Sequence, residues 1–175
     1  SLNNEPIKFG MSSSIPQIDF SPFLEDHEAG KKQVASQIGK ACREIGFFTL
    51  TDHGVSLKLI QRVFDANREF HQQPLEEKEE ILISHSAHHR GYHPFSAEAT
   101  DPNAKPDLKE AFDMALELPL DDPDVKAGKP FHGPNVWPRN PPQFRKTLEE
   151  YYQALLLLGE QICRCFALDL GLDED

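Results

Sequence analysis

The sequence predicts an α+β protein, rich in helix and poor in strand. Three long stretches repeat apolar residues at helical spacing, at residues 30–45, 56–73 and 141–170. Before and between them lie short runs rich in β-branched, aromatic and other apolar residues, at 15–20, 47–51 and 111–118. A length of 175 residues suits one domain, or one domain with a piece of another.

Residues 1–14 read as an N-terminal tail and residues 15–175 as the structured region. Ile15, Ile18 and Phe20 make a short strand, which Ser21-Pro22 is expected to end. In the first helix Val34, Ile38, Ala41, Cys42 and Ile45 recur at helical spacing, while Lys31, Lys32, Lys40 and Arg43 cover other faces. Gly46 follows it in the usual C-terminal position. Phe47 to Thr51 reads as a buried strand. Gly54 turns the chain, Ser56 is placed to cap a second helix, and Ile60, Val63, Phe64 and Phe70 form that helix's apolar stripe. Pro74 breaks it, and the charge run Glu76-Glu77-Lys78-Glu79-Glu80 reads as a solvated helical turn.

Residues 84–107 are polar and irregular. Residues 111–118 then alternate, with Phe112, Met114, Leu116 and Leu118 pointing one way and Asp113 and Glu117 the other. Such a half-buried strand needs a partner, and none is read within hairpin distance. Residues 119–142 are proline-rich and read as a surface excursion. A long helix follows from about Pro141 to Leu170, with Asn140 as its cap and Gly171 past its end. Its stripe runs Phe144, Leu148, Tyr151, Leu155, Leu158, Ile162, Phe166 and Leu170, and Leu155 to Leu158 is apolar all round. Three short strands do not make a closed sheet, so they are expected to pair with strands outside this chain.

The net charge of −11 opposes binding to nucleic acid and to anionic membranes. No apolar run approaches a membrane span, and residues 1–14 lack the basic-then-apolar pattern of a leader. Three cysteines without a Cys-x-x-Cys pair fit a reducing, cytoplasmic setting. Cys42, Cys163 and Cys165 are all expected as small residues on buried faces.

His85, His88, His89 and His93 form the one dense histidine cluster. No cysteine or closely spaced aspartate completes it as a metal site, so it reads as a mobile polar loop. His53, in Asp52-His53-Gly54, is expected to tie its turn to a neighbouring backbone group.

Three phrases in a fixed order carry a resemblance: Ile15-Pro16-Gln17-Ile18-Asp19-Phe20, then Glu44-Ile45-Gly46-Phe47-Phe48-Thr49-Leu50-Thr51-Asp52-His53-Gly54-Val55, then Pro106-Asp107-Leu108-Lys109-Glu110-Ala111-Phe112-Asp113-Met114. Together they resemble the N-terminal region of the iron- and 2-oxoglutarate-dependent dioxygenases, the superfamily of isopenicillin N synthase. The resemblance implies a fold whose few strands complete a double-stranded β-helix (jelly-roll) barrel lying mostly beyond this chain. It implies that the full-length parent uses Fe(II), O₂ and 2-oxoglutarate on a small-molecule substrate, with hydroxylation, desaturation or ring closure as outcomes.

The ligand signature of that family is His-x-Asp, a distant His and Arg-x-Ser. No histidine here is followed two residues later by Asp or Glu, and no arginine by Ser. Catalytic, metal and cofactor ligands are therefore expected in the barrel, the partner region of the same polypeptide, with no cofactor bound by this chain alone. Arg90-Gly91-Tyr92 resembles a family segment near the substrate mouth, which makes Arg90 and Tyr92 candidate contacts for an anionic substrate group. Asn135-Val136-Trp137-Pro138 resembles a family turn, where Trp137 is expected to pack. The rival reading is a non-catalytic interaction domain sharing this fold region.

Overall fold

In the computed structural model the described residues are 14–95 and 108–174, and they form an α+β chain with four short strands and six helices. The tail before residue 14, residues 96–107 of the polar segment and the Pro106-Asp107 start of the third phrase lie outside them. The chain divides into two compact units, one of residues up to Val55 together with Leu155 onward, the other Ser56–Ala154.

In the first unit, β1 (Gln17–Asp19) pairs in parallel with β2 (Thr49–Thr51), Ile18 opposite Leu50. Parallel strands need a crossover, and α2 (Glu28–Glu44) supplies it. The strand ends before Ser21-Pro22 as expected, and the pair opens a short helix α1 (Ser21–Leu24). Proline fits there because a first-turn N–H has no helical acceptor, and the Asp19 carboxylate takes the Ser21 N–H at 2.9 Å and its hydroxyl at 2.7 Å. The core joins Ile18, Phe20, Phe23, Val34, Ala35, Ile38 and Ala41 to Cys165. Phe48 and Leu50 pack against it, but Phe47 is 70% exposed, so the run expected to be buried is half open.

Cys165 alone of the cysteines is buried, whereas Cys42 and Cys163 face solvent, against expectation. Burial, reinforced by the Glu174 charge, pushes the Cys165 thiol up to about 12, and a thiol so held is a poor nucleophile. His53 behaves as the sequence predicts: its Nδ1 accepts the Val55 N–H at 3.2 Å and closes the turn.

The second unit holds α3 (Leu57–His71), α4 (Leu75–Glu79), a 3-10 turn at Ile83–His85, β3 (Gly91–His93), β4 (Ala111–Asp113), α5 (Pro123–Lys126) and the start of α6 (Phe144–Asp169). β3 and β4 pair antiparallel, Tyr92 opposite Phe112. The strand at Ala111 thus finds its partner in a segment read as irregular. Among the described residues the four strands pair two by two, so the strand at Ala111 does have a partner within the chain.

α6 begins three residues later than predicted and, at 26 residues, is roughly 39 Å long. Ser56 stands at the cap position of α3 without a side-chain cap bond, and α3 buries Leu59, Ala66 and Phe70 while Phe64 is 62% exposed. Of the predicted stripe, Phe70 is buried and Ile60 and Val63 are half-buried, so Phe64 is the member that departs from it. The core gathers Ala66, Phe70, Ile81, Tyr92, Phe144 and Leu148, with Phe112, Met114 and Trp137 packed on it. Trp137 lies 5.7 Å from the Phe112 ring and 6.4 Å from Phe144, the packing role expected of it.

Candidate functional site

The two residues proposed from sequence flank Gly91 at the start of β3. Gly91 has φ +120°, and a Cβ there would stand 2.2 Å from the Ile81 carbonyl oxygen. That carbonyl accepts the Tyr92 N–H at 2.8 Å, so the backbone at 91 must pass close to it. Gly91→Ala is expected to cost about 2–3 kcal/mol, because it strains φ and drives two backbone segments apart. Urea unfolding followed by the fluorescence of Trp137, the single tryptophan, measures this in the second unit; an unchanged midpoint would contradict the close approach.

Tyr92 is fully buried, and its hydroxyl donates to Glu110 Oε2 at 2.6 Å. The same oxygen accepts from Lys78 Nζ at 2.6 Å, and Lys78 also donates to the His71 carbonyl at 3.1 Å. The Lys78 ammonium lies 5.1 Å from the centroid of the Tyr92 ring. Lys78 is only 6% exposed, which corrects its reading as part of a solvated turn. Burial raises the Tyr92 phenol well above its ordinary value, and the hydrogen bond to Glu110 adds to this. Burial also pushes the Glu110 carboxyl up, but the bonds from Lys78 and Tyr92 outweigh it and hold the group below its ordinary value. His71 donates from Nδ1 to the Asn67 carbonyl at 2.8 Å, which leaves Nε2 buried and without a partner.

Arg90 is 4% exposed. Its guanidinium donates to the carbonyls of His88, His89 (3.2 Å) and Phe131 (2.7 Å), with Nε buried and unpartnered. Neither Arg90 nor Tyr92 presents its polar head to solvent. A direct contact with substrate is therefore not what this arrangement supports. Arg90 clips two loop segments together, and Tyr92 anchors β3 to the buried charge pair.

Of the histidine cluster, His88 and His93 are half-buried, while His85 and His89 are exposed. His93 Nε2 lies 2.9 Å from the Asp113 carboxylate, His89 meets the Phe131 ring, and the His88 ring occupies the space beside Gly133, where a Cβ would come within 2.3 Å. Among the described residues no three His, Cys, Asp or Glu side chains come together to hold a metal ion. These side chains do not fit an iron centre.

Asn135, quoted in the sequence only as part of a turn, has a role that the residue types did not announce. It is buried, takes the Ala115 N–H at 2.9 Å, donates to the Ala115 carbonyl at 2.8 Å, and so prolongs the pairing of β4 with a side chain. Glu117 accepts from Asn135 Nδ2 at 2.9 Å and from Trp137 Nε1 at 3.3 Å. Lys78 and Glu110 carried no local signal either, since each acquires its role from the other across the fold.

Residues 15–140 match the family model described as non-haem dioxygenase in morphine synthesis, N-terminal. A 2-oxoglutarate-dependent dioxygenase, citB, of Monascus ruber is 37% identical over 158 residues, which is 87% of this chain and 47% of that protein. A homoarginine-6-hydroxylase of Glycine max is 37% identical over 166 residues, covering 91% of this chain and 49% of its own length. A solved structure of a full-length Neurospora crassa protein in complex with alpha-KG and thymine superposes with a TM-score of 0.73 at 28% identity, covering 91% of this chain and 49% of that one. The chain spans about half the length of the curated relatives it matches.

Proposed function

Since this chain belongs to the non-haem, 2-oxoglutarate-dependent dioxygenase family and lies in its N-terminal region, we propose that it is the N-terminal part of an Fe(II)- and 2-oxoglutarate-dependent oxygenase acting on a small molecule. The match over residues 15–140, at about half the length of the relatives, carries this reading. Iron would be held by residues outside this stretch, so no oxidation step is assigned to side chains described here. Hydroxylation, desaturation or ring closure would be the outcome, and a jelly-roll barrel in the rest of the polypeptide would house it.

The part played by this chain is to wall and position. Charge and length patterns support the remaining features: an acidic surface unsuited to nucleic acid, no described helix long and apolar enough to cross a membrane, and three unpaired cysteines compatible with a reducing cytoplasm. The test is the continuing reading frame. It should encode His-x-Asp, a later His and Arg-x-Ser; a frame without them would leave an interaction domain as the better account.

A further inference from the structure

From Leu155 onward α6 belongs to the first unit, and there it carries apolar residues on two sides. On one side Leu158, Ile162 and Leu168 pack around Cys165 in the core. On the other, Leu155, Leu156, Phe166 and Leu170 are exposed, the last at 70%. With about 3.6 residues per turn, these four share a face with Gly159 and Cys163. An open groove of about 620 Å³ runs over this face, lined by Leu155, Leu156, Gly159, Cys163 and Ala167. Glu160 and Arg164 add opposite charges to its wall, so apolar contact rather than the charge of α6 selects what enters. Gly159 sits mid-helix, where glycine costs stability relative to alanine. A Cβ there would meet nothing within 4 Å, so no described neighbour requires glycine, whereas a closely packed occupant of the groove would.

We propose that this groove on α6 seats an apolar segment of the same polypeptide, from the part that follows residue 175. The assignment rests on the oxygenase reading for the existence of that part: the chain spans about half the length of its relatives, and the family model it matches is an N-terminal one. The backbone itself leads to the groove. Gly171, at φ 72°, lets the chain reverse after α6. Its N–H donates to the Leu168 carbonyl at 3.1 Å, and the Leu172 N–H to the Ala167 carbonyl at 2.8 Å, which turns the chain back along the helix. Asp173 and Glu174 then line the groove, and Lys31 holds Glu174 at 3.1 Å. Whatever follows thus starts beside the groove, and a short tether gives it an effective concentration on the order of millimolar. A second copy of the chain lacks that advantage, and a net charge of −11 repels it. Left in water, so apolar a face would promote association.

Thiol labelling of the complete polypeptide tests this without any substitution. Cys163 lies in the groove and Cys42 on α2 outside it, and both are exposed in the described chain. Each is alkylated with iodoacetamide in the folded and in the urea-unfolded polypeptide, and the sites are read by peptide mass. Folding is expected to slow Cys163 about tenfold more than Cys42, because the occupant must open before the reagent enters. Equal slowing of the two cysteines overturns the assignment. So does protection of Cys163 that fades as the polypeptide is diluted, which would give the groove to a second copy. Gly159→Leu in the complete polypeptide supplies an effect whose sign decides. Over an empty groove leucine is the better helix former and raises the melting midpoint by about 2–4 °C. Against a seated segment it overpacks and lowers the midpoint by about 5 °C. The fall is expected, and a rise overturns the assignment. None of these results touches the oxygenase reading, which stands or falls on 2-oxoglutarate turnover.

Discussion

Phe70→Ala is expected to destabilise the second unit by about 3–5 kcal/mol, the range for emptying a large aromatic site in a packed core. Phe70 has no exposed surface, and its ring lies 4.9 Å from Phe144, 5.6 Å from Phe112 and 6.1 Å from Tyr92. Those neighbours come from α6, β4 and β3, so one side chain ties three elements to α3. They are large and mutually packed, and cannot collapse into the space left behind. Urea unfolding read by Trp137 fluorescence gives the loss directly. A shift below about 1 kcal/mol would show that Phe70 is not the centre of this core.

Glu110→Gln should cost a similar amount, about 3–5 kcal/mol, because it leaves the Lys78 ammonium buried without its counter-charge. Tyr92→Phe removes one hydrogen bond and keeps the ion pair, so about 1–2 kcal/mol is expected. The order of these two losses separates the charge pair from the phenol. Their pH dependence differs in sign. The folded-state value of Glu110 lies below its ordinary one, so its contribution is present above the unfolded value and is lost as pH falls through the folded one. The folded-state value of Tyr92 is raised, so its contribution is present below its ordinary value of 10.0 and declines as pH climbs above that. Glu110→Gln should therefore flatten the acid limb of the stability profile, and Tyr92→Phe the alkaline limb. Parallel profiles for wild type and both variants would contradict the network.

The sequence announced the helices well because their signal is local. Val34, Ile38 and Ala41 repeat on one face whatever lies opposite, and the structure buries all three. The His53 turn was legible for the same reason, since donor and acceptor stand two residues apart. β3 was not. Gly91-Tyr92-His93 has no alternation, and its partner Ala111–Asp113 lies beyond a long intervening segment. Lys78 among four glutamates looked solvated, and only Glu110, distant in sequence, draws it inside. For Arg90 the residue type suggested an anion fork, but its direction is set by the Phe131 carbonyl, which tertiary packing alone delivers.

The central claim is that this chain is the N-terminal part of an Fe(II)- and 2-oxoglutarate-dependent oxygenase. Its most direct test is oxygen-dependent conversion of 2-oxoglutarate to succinate in the presence of Fe(II), measured for the complete reading frame and for residues 1–175 side by side. The account predicts turnover by the complete polypeptide and none by the 175-residue chain, whose described side chains assemble no metal site. Turnover by the 175-residue chain alone, or its absence from an iron-loaded complete polypeptide, would contradict it.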